Sequence, residues 1–367
     1  MTRIGRHDSS YHDLLREAVS LAFDRVDPSR ITRTYFSSFA PSELCGIADP
    51  IGAVMDTLAE AFPLLDAHVL GPYRTGGEAL FYALEHRSGA SVAGDTMVLA
   101  CEKMTHVDAA TAAGLLSLRV NPAEKLYGAT LPALSALVTQ AYLRSFDVPY
   151  HALHLVAAKN HRNAARNPKA HFQREIPLRE IASSPLVADP LRRHHCAPMS
   201  DGAAACIIGD DGDDVSFRGW GAGSDAPLFH EREHLGRFRA AAIAAGHAFS
   251  GARVRPDEID VVEVHDAFSP FELINLEEMG FFRMGEAWRA LEDGELDIGG
   301  RLAVNPSGGM KARGHPIGVC GLTSVVEIYQ QLRGEGGDRQ HPGARLGAIQ
   351  SAGGVSQRSY AFVLGAE

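Results

Sequence analysis

The sequence has few cysteines, and none of them forms a recognisable motif. The five cysteines are an odd number, they are scattered over 367 residues, and no two are spaced as C-x-x-C. This pattern excludes a disulfide framework and a cysteine-based zinc site, because both need regular spacing. We therefore expect reduced thiols and no metal.

Long apolar runs and an excess of positive charge are also absent. No apolar stretch approaches the ~20 residues of a membrane-spanning helix, and the N-terminus lacks the apolar region of a signal peptide. With 45 acidic and 35 basic residues, the net charge of -10 argues against nucleic-acid binding. These features predict a cytoplasmic protein with no membrane span and no nucleic-acid partner.

What the chain does contain is a repeated alternation of strand and helix patterns. β-rich or apolar runs such as "ITRTYFSSFA" and "EIDVVEVHDAF" are followed by amphipathic stretches such as "ADPIGAVMDTLAEAF" and "FELINLEEMGFF". This alternation predicts an α/β protein with parallel or mixed sheets covered by helices. Because the second half repeats the style of the first, we predict two duplicated parts, 1–225 and 226–367.

The first part contains an inserted loop region at about 105–180, within which one segment is basic. The segment "KNHRNAARNPKAHFQ", 159–173, concentrates lysine, arginine and histidine in an otherwise acidic protein. Contact with a phosphate and a solvated loop are both compatible with this composition.

The most specific segment is "NPSGGMKARGHPIGVCGLTSVVE", 305–327. It begins with Asn305, continues through Gly309 and presents His315 before the next helix pattern. Clustered glycines let the backbone approach a ligand closely, and a histidine there can act as acid, base or hydrogen-bond donor. The alternative is a tight loop whose histidine only caps a turn.

Two further segments place polar or flexible residues directly after apolar strands. In "EVHDAFSPFEL", His265 ends a strand, where α/β sheets present ligand-binding groups; a helix N-cap with a surface histidine is the alternative. In "QSAGGVSQRSY", Gly353 and Gly354 could offer backbone N–H groups to an oxyanion. The alternative is a bent strand or a hairpin.

Together these segments resemble the thiolase superfamily, especially its sterol-carrier-protein-x type and the archaeal acetoacetyl-CoA thiolases. "NPSGGMKARGHPIG" is similar to the family's "NxxGGxxAxGHPxG", and "HDAF" stands in place of "NEAF". The resemblance covers nearly the whole chain. It implies a thiolase fold of two duplicated five-stranded mixed sheets in a layered αβαβα arrangement, an acyl-CoA substrate and a homodimer or larger assembly.

The resemblance also implies roles for individual residues. His315 matches the histidine that activates the nucleophile, and His265 matches the Asn or His of the enolate oxyanion hole. Coenzyme A enters as part of the substrate, with no tightly bound cofactor. The positions that we expect to bind substrate are Asn305, Gly309, Ser351, Gly353 and Gly354.

One departure falls on the position that carries the family's chemistry. The family turn reads "C-A-S-G-G-x-A-L", whereas 73–80 reads "YRTGGEAL", with Tyr73 in place of the cysteine. A phenol, with a reference pKa of ~10, is a poor thioester nucleophile and acyl carrier. Ser351 stands where a second family cysteine lies, which archaeal relatives also lack. We predict that Tyr73 begins a helix over 75–85 and directs its hydroxyl into the pocket of the two histidines.

A second departure concerns the N-terminus. Family chains begin with an apolar strand that ends near "GxTxFG", which 1–5 resembles, so that the first strand is expected to be missing. We expect that strand at the centre of the N-terminal sheet, where a gap would leave backbone N–H and C=O groups without partners.

Three functions are compatible with these residues. The first is a thiolase-like enzyme that makes or breaks a carbon–carbon bond by aldol or retro-aldol chemistry, with His315, His265 and Tyr73 as catalytic groups. Some thiolase-like aldolases of side-chain degradation also lack the cysteine and work with a small OB-fold/zinc-ribbon partner. They rely on tyrosines elsewhere, so that the resemblance to them is partial. The second is a conventional acyltransferase with a displaced cysteine, for which Cys320 is the nearest candidate. The third is a non-catalytic acyl-CoA-binding subunit of a multi-component acyltransferase.

Overall fold

The strand and helix patterns of the sequence form two mixed sheets in the structure, which is a computed structural model. It describes residues 1–24, 26–63, 65, 68–89, 93–118, 120–210 and 215–367. The strands are β1 (Ile31–Ser37), β2 (His68–Tyr73), β3 (Asp95–Glu102), β4 (Leu186–Ala188), β5 (Leu191–Arg192), β6 (Gly202–Ile208), β7 (Val215–Ser224), β8 (Val261–Glu263), β9 (Ala303–Val304), β10 (Leu346–Gly353) and β11 (Arg358–Ala366).

The helices of the described residues differ in how they begin. They are α1 (Tyr11–Phe23), α2 (Pro41–Cys45), α3 (Pro50–Ala61), α4 (Gly76–Gly89), α5 (Ala109–Ser117), α6 (Pro122–Lys125), α7 (Leu131–Ser145), α8 (His151–Ala165), α9 (Leu178–Ser183), α10 (Arg239–Ala252), α11 (Ser269–Glu278), α12 (Ala287–Glu292) and α13 (Leu322–Leu332). Ser10 and Asp13 form a capping box at α1, and Asp49 and Asp108 cap α3 and α5. These caps satisfy backbone N–H groups that the first turn leaves free.

The two sheets repeat one strand order. The first runs β2-β1-β3-β6, and the second runs β7-β11-β10-β8-β9. In each sheet three neighbouring strands are parallel, and the next strand is antiparallel to them. The predicted duplication and mixed sheets are therefore confirmed. β4 and β5 form a separate two-stranded ribbon.

The first sheet does not have the central gap that we expected. Its four strands are contiguous, and the second sheet places its own opening strand, β7, at an edge beside β11. In the first sheet, β6 is the edge strand next to β3. There Thr2 N–H donates to the Ala203 carbonyl at 2.9 Å, and Gly5 forms an isolated antiparallel β-bridge with Asp201. The four strands therefore leave no central gap, and in the second sheet the opening strand β7 pairs with the antiparallel strand β11 at the edge.

The layering follows from which faces are buried. α1 and α3 cover the outer face of the first sheet, α4 and α13 lie between the sheets, and α8, α10 and α11 cover the second. Each buried leucine of the middle layer contributes roughly 1.5–3 kcal/mol. The buried side chains of α4 and α13 include Ala79, Leu80, Ala83, Leu84, Leu322, Val325 and Ile328. This is the predicted αβαβα arrangement.

The division predicted after residue 225 stays a prediction; β7 lies before it and belongs to the second sheet.

The region 105–180 is largely helical rather than a loop, since it contains α5 to α8. Its basic segment serves the fold: Lys159 is buried against Glu272, and Arg162 pairs with Asp297 at 2.6 Å. Among the described residues, no helix has both the length and the apolar character that a membrane crossing requires.

Candidate active site

A cavity of about 530 Å³ lies where the two halves meet. His265 follows β8 and Gly353 ends β10, and these parallel strands place their carboxyl ends at one edge of the second sheet. Arg74 and Thr75, at the start of α4, line the cavity from the first half. The carboxyl ends of β8 and β10 in the second half and the start of α4 in the first half therefore meet at one cavity.

Two histidines lie at the centre of the cavity wall that the second half contributes. His265 and His315 both line the cavity, their ring centroids lie 5.4 Å apart, and their planes cross at 83°. Gly353 and Gly354 line the same cavity, so that the structure brings these four predicted site residues together.

The sulfur of Cys320 holds the ring of His315 in one orientation. His315 Nδ1 lies 2.9 Å from Cys320 Sγ, which in turn lies 3.2 Å from the carbonyl oxygen of Pro316. We assign the thiol as donor to that carbonyl and the sulfur as acceptor from Nδ1–H, which leaves Nε2 unprotonated. Burial, followed by the charge of Arg313, lowers the pKa of His315 to about 4, so that the ring is neutral at pH 7.

His265 is held through its backbone, and its ring is left free. Its N–H donates to Gln350 Oε1 at 3.0 Å, and its carbonyl accepts from Asn275 Nδ2 at 2.9 Å. The side chain is only 6% exposed, and within the described part of the chain Nδ1 has no hydrogen-bond partner. Burial, and then His315, lower the pKa of His265 well below its usual range. A neutral imidazole here still has one N–H to donate.

Asp266 holds the loop that leads to His315. Its carboxylate accepts from Met310 N at 2.6 Å and from Asn160 Nδ2 at 2.7 Å. Gly309 has a φ of +59°, and a Cβ there would collide with the Asp266 carboxylate. The Gly-Gly of the motif is therefore required by close packing and by a left-handed backbone.

Three residues that we predicted to bind substrate lie behind the cavity wall. Asn305 is buried and accepts from Val264 N at 2.9 Å, Gly309 packs on Asp266, and Ser351 is buried beside Gly77. None of the three is among the described residues that line the cavity. Their place in the motif reflects the packing of the loops on one another.

The prediction that the Tyr73 hydroxyl points into the pocket is wrong. Tyr73 ends β2 just before α4, but its ring stacks against Tyr35 and Tyr82, at centroid distances of 6.0 and 5.4 Å. It is not among the described residues that line the cavity. The aromatic stack draws the side chain away from the cavity.

The start of α4 packs tightly on the second half. A Cβ at Gly76 would lie 2.9 Å from Leu322, and one at Gly77 would lie 2.6 Å from Ser351. Because such distances exclude a side chain, the two glycines allow the helix to begin against these residues. The first turn of α4 is thereby fixed at the cavity.

Sequence reasoning missed a charged group on this helix. Glu78 lines the cavity and accepts from the Tyr360 hydroxyl at 3.2 Å and from Arg358 Nη1 at 3.4 Å. In the sequence, Thr75 and Glu78 have the spacing of a capping box, and Glu78 N–H does donate to Thr75 Oγ1 at 3.1 Å. Because this spacing is typical of a helix start, it does not by itself point to a place in the cavity.

The cavity has an apolar side, and one of the described cysteines lines it. The apolar side comes from the region 105–180 and from β4; its side chains are Leu116, Leu118, Val120, Leu131, Pro132 and Val187. Cys196 also lines the cavity, and burial raises the pKa of its thiol to about 11. Cys320 is 1% exposed and does not line it, and burial raises the pKa of that thiol to about 12.

Comparison with known proteins gives the same family for both halves. The family model described as "Thiolase, N-terminal domain" matches residues 89–211, and that described as "Thiolase C-terminal domain-like" matches residues 221–366. Acetyl-CoA acetyltransferase of Methanothermobacter thermautotrophicus is 35% identical over 362 residues, which cover 95% of this chain and 92% of that protein.

More distant similarities extend this finding. Sterol carrier protein 2 of Rattus norvegicus is 28% identical over 375 residues, which cover 95% of this chain and 67% of that protein. The solved structure described as "Ltp2-ChsH2(DUF35) aldolase" has the same fold, with a TM-score of 0.83 at 22% identity, covering 100% of this chain and 95% of that one. The chain therefore belongs to the thiolase family and resembles its sterol-carrier-protein-x type.

Proposed function

We propose that the protein is an enzyme that makes or breaks a carbon–carbon bond next to a CoA thioester, by aldol or retro-aldol chemistry through an enolate and without an acyl-cysteine. The observation that carries this proposal is the pair of neutral histidines on one cavity wall, opposite a helix start that offers no thiol. Another protein with this fold is described as an aldolase, so the fold accommodates that class of reaction.

The histidines divide the work according to their hydrogen bonds. Nε2 of His315 takes the proton from the carbon next to the thioester, because Nδ1–H is committed to Cys320. The electron pair moves to the thioester oxygen, and the ring N–H of His265 stabilises that charge. In the aldol direction the enolate carbon then attacks a carbonyl group; in the reverse direction the same bond breaks.

A conventional acyltransferase with a displaced cysteine is the second candidate. Cys196 lines the cavity, but its thiol donates a hydrogen bond to the Arg192 carbonyl, and burial raises its pKa to about 11. Cys320 is enclosed behind His315. Since the thiolate is the nucleophile, neither setting favours acyl transfer at pH 7.

Exposure to acetyl-CoA, followed by intact mass measurement, separates the candidates. We expect no acyl adduct, together with exchange of the α-hydrogens of the acyl group in D₂O. An acetyl group on Cys196 or Cys320 that free CoA removes would establish the acyltransferase. Binding of acyl-CoA with neither exchange nor adduct would establish the non-catalytic subunit.

We also propose a homodimer or larger assembly in the cytoplasm, with β2 near the interface. β2 is an edge strand of the first sheet, and Tyr82 beside it is 45% exposed. An obligate interface of upwards of ~2,000 Å² would cover such a surface. Light scattering at micromolar concentration tests this, and a monomer would contradict it. A small OB-fold/zinc-ribbon protein is the further partner that we propose, to be tested by co-purification.

A further inference from the structure

We propose that Glu78 is the general base of the retro-aldol reaction, which removes the proton from the β-hydroxyl of a 3-hydroxyacyl-CoA and returns it in the aldol direction. This inference rests on the proposed function and deepens it. Glu78 becomes the proton acceptor at the start of α4, a role that Tyr73 does not fill because it does not line the cavity.

Glu78 has the position that such a base needs. It lies in the first turn of α4, lines the cavity and is 9% exposed. The dipole of a helix N-terminus favours a negative charge there. Among the described residues that line the cavity, Glu78 is the one carboxylate.

The bonds of Glu78 orient the carboxylate and leave it an open acceptor site. Oε2 accepts from Arg74 N at 3.0 Å, while Oε1 accepts from the Tyr360 hydroxyl at 3.2 Å and from Arg358 at 3.4 Å. A carboxylate has about four lone-pair sites, so these three donors leave room for a substrate hydroxyl. Tyr360 keeps its proton, because burial, and then the charge of Glu78, raise its pKa.

The packing of α4 brings this base to the histidine wall. Beside Glu78, a Cβ at Gly76 would lie 3.1 Å from the carbonyl oxygen of Cys320, the residue that holds His315. A retro-aldol cleavage needs one group for the hydroxyl proton and others for the enolate. The helix supplies the first, and the histidines supply the others.

The step balances without a further reactant. Glu78 takes the proton of the hydroxyl group, the C3–O bond becomes a carbonyl, and the C2–C3 bond breaks. Its electron pair forms the enolate, whose oxygen His265 stabilises. C2 then takes a proton from water through His315, while Glu78 releases its proton to water. The products are a shorter acyl-CoA and an aldehyde or ketone.

The test compares two reactions in Glu78→Gln. The first is cleavage of 3-hydroxydecanoyl-CoA to acetyl-CoA and octanal, with a chain that suits the apolar side of the cavity. The second is deuterium exchange at C2 of decanoyl-CoA in D₂O, which needs the histidines alone. We expect cleavage to fall ~10²–10⁴-fold, as for loss of a general base, while exchange is retained. Glu85→Gln is the matched control, because Glu85 lies on the same helix, is exposed and accepts a hydrogen bond from Trp220 Nε1 outside the cavity. This variant should retain both reactions.

Each other outcome has a separate meaning. If Glu78→Gln retains cleavage, the assignment of Glu78 fails while the proposed function stands. If it loses exchange as well, Glu78 shapes the site and is not the base. If the unaltered protein exchanges but does not cleave, both the base and the retro-aldol proposal are overturned; if it does neither, the proposed function itself fails.

Tyr360→Phe supplies a second readout. The phenol donates a hydrogen bond to Glu78 Oε1 at 3.2 Å and so helps to orient the carboxylate. We expect cleavage to fall in this variant while C2 exchange is retained, because exchange does not use Glu78. Equal losses of both reactions, or no loss of cleavage, would contradict the assignment.

Discussion

The two halves of the molecule supply different kinds of wall to one cavity. The second half contributes neutral histidines, which buried partners such as Cys320 and Gln350 hold in place. The first half contributes the charged start of α4, with Arg74 and Glu78, together with the apolar side chains of α5 to α7. In the mechanism that we propose, the wall with the family's histidine motif serves the enolate, and the wall that departs from the family serves a hydroxyl proton rather than an acyl group.

The largest effect should come from the histidine wall. In His315→Ala we expect C2 exchange and retro-aldol cleavage both to fall ~10²–10⁴-fold, because the base and proton carrier for the α-carbon is lost. The exposed His234→Ala is the control and should retain both rates. Full exchange in His315→Ala would place the base elsewhere and remove the division of work between the walls.

The contact between the halves should make stability depend on pH. Glu102 is buried, and its Oε2 accepts from Phe39 N at 2.7 Å and from Gly318 N, across the halves, at 2.9 Å. Burial raises the pKa of this carboxyl to about 7, against ~4.3 in an unfolded chain. Between these values the folded state binds more protons, so its stability should fall as pH rises.

Urea unfolding between pH 5 and pH 8, with Glu102→Gln as comparison, checks this dependence. The glutamine oxygen can keep both backbone bonds without a charge. We expect the variant to lose part of the decline in unfolding free energy with pH. An identical decline in both proteins would show that Glu102 does not link the halves to pH.

A smaller effect should follow from loosening the support of His315. In Cys320→Ala the ring loses the acceptor of its Nδ1–H, which contributes ~1 kcal/mol, so we expect about a fivefold loss of exchange rate. Cys320→Ser retains an acceptor and should recover most of it. If Cys320→Ala abolished turnover and an acyl adduct were found on Cys320 in the unaltered protein, the thiol would be a nucleophile instead.

The smallest effect should be at Tyr73. Because its ring stacks on Tyr35 and Tyr82 rather than facing the cavity, Tyr73→Phe should leave cleavage and exchange unchanged. Steady-state rates on both substrates measure this. A loss comparable to that of His315→Ala would mean that the hydroxyl reaches the substrate, and the wall of the first half would have to be reassigned.

Motifs at strand ends predicted the placement of the histidine wall well. His265 follows β8, and His315 lies in a glycine-rich loop after β9, so sequence order and sheet topology bring them to one edge. The same motif also contains Asn305 and Gly309, which do not line the cavity, because residues that pack two loops together share the motif with residues that face a ligand. Sequence spacing does not distinguish the two sides of a loop.

The wall of the first half was harder to predict. The direction of the Tyr73 side chain depends on stacking with Tyr35, which is distant in sequence. Glu78 and Tyr360 are 282 residues apart and meet only through the packing of α4 on β11. The edge position of β7 likewise depends on how whole strands pair, which the pattern of one strand does not reveal.

The central claim, enolate chemistry without an acyl-enzyme, is tested most directly by following one sample in two ways. The protein is incubated with acetyl-CoA in D₂O, deuterium in the acetyl group is followed by NMR, and the intact protein mass is measured at the same times. We predict that deuterium enters the acetyl group while the protein carries no acetyl adduct. An acetyl group on Cys196 or Cys320 that forms and is removed by free CoA would contradict the account.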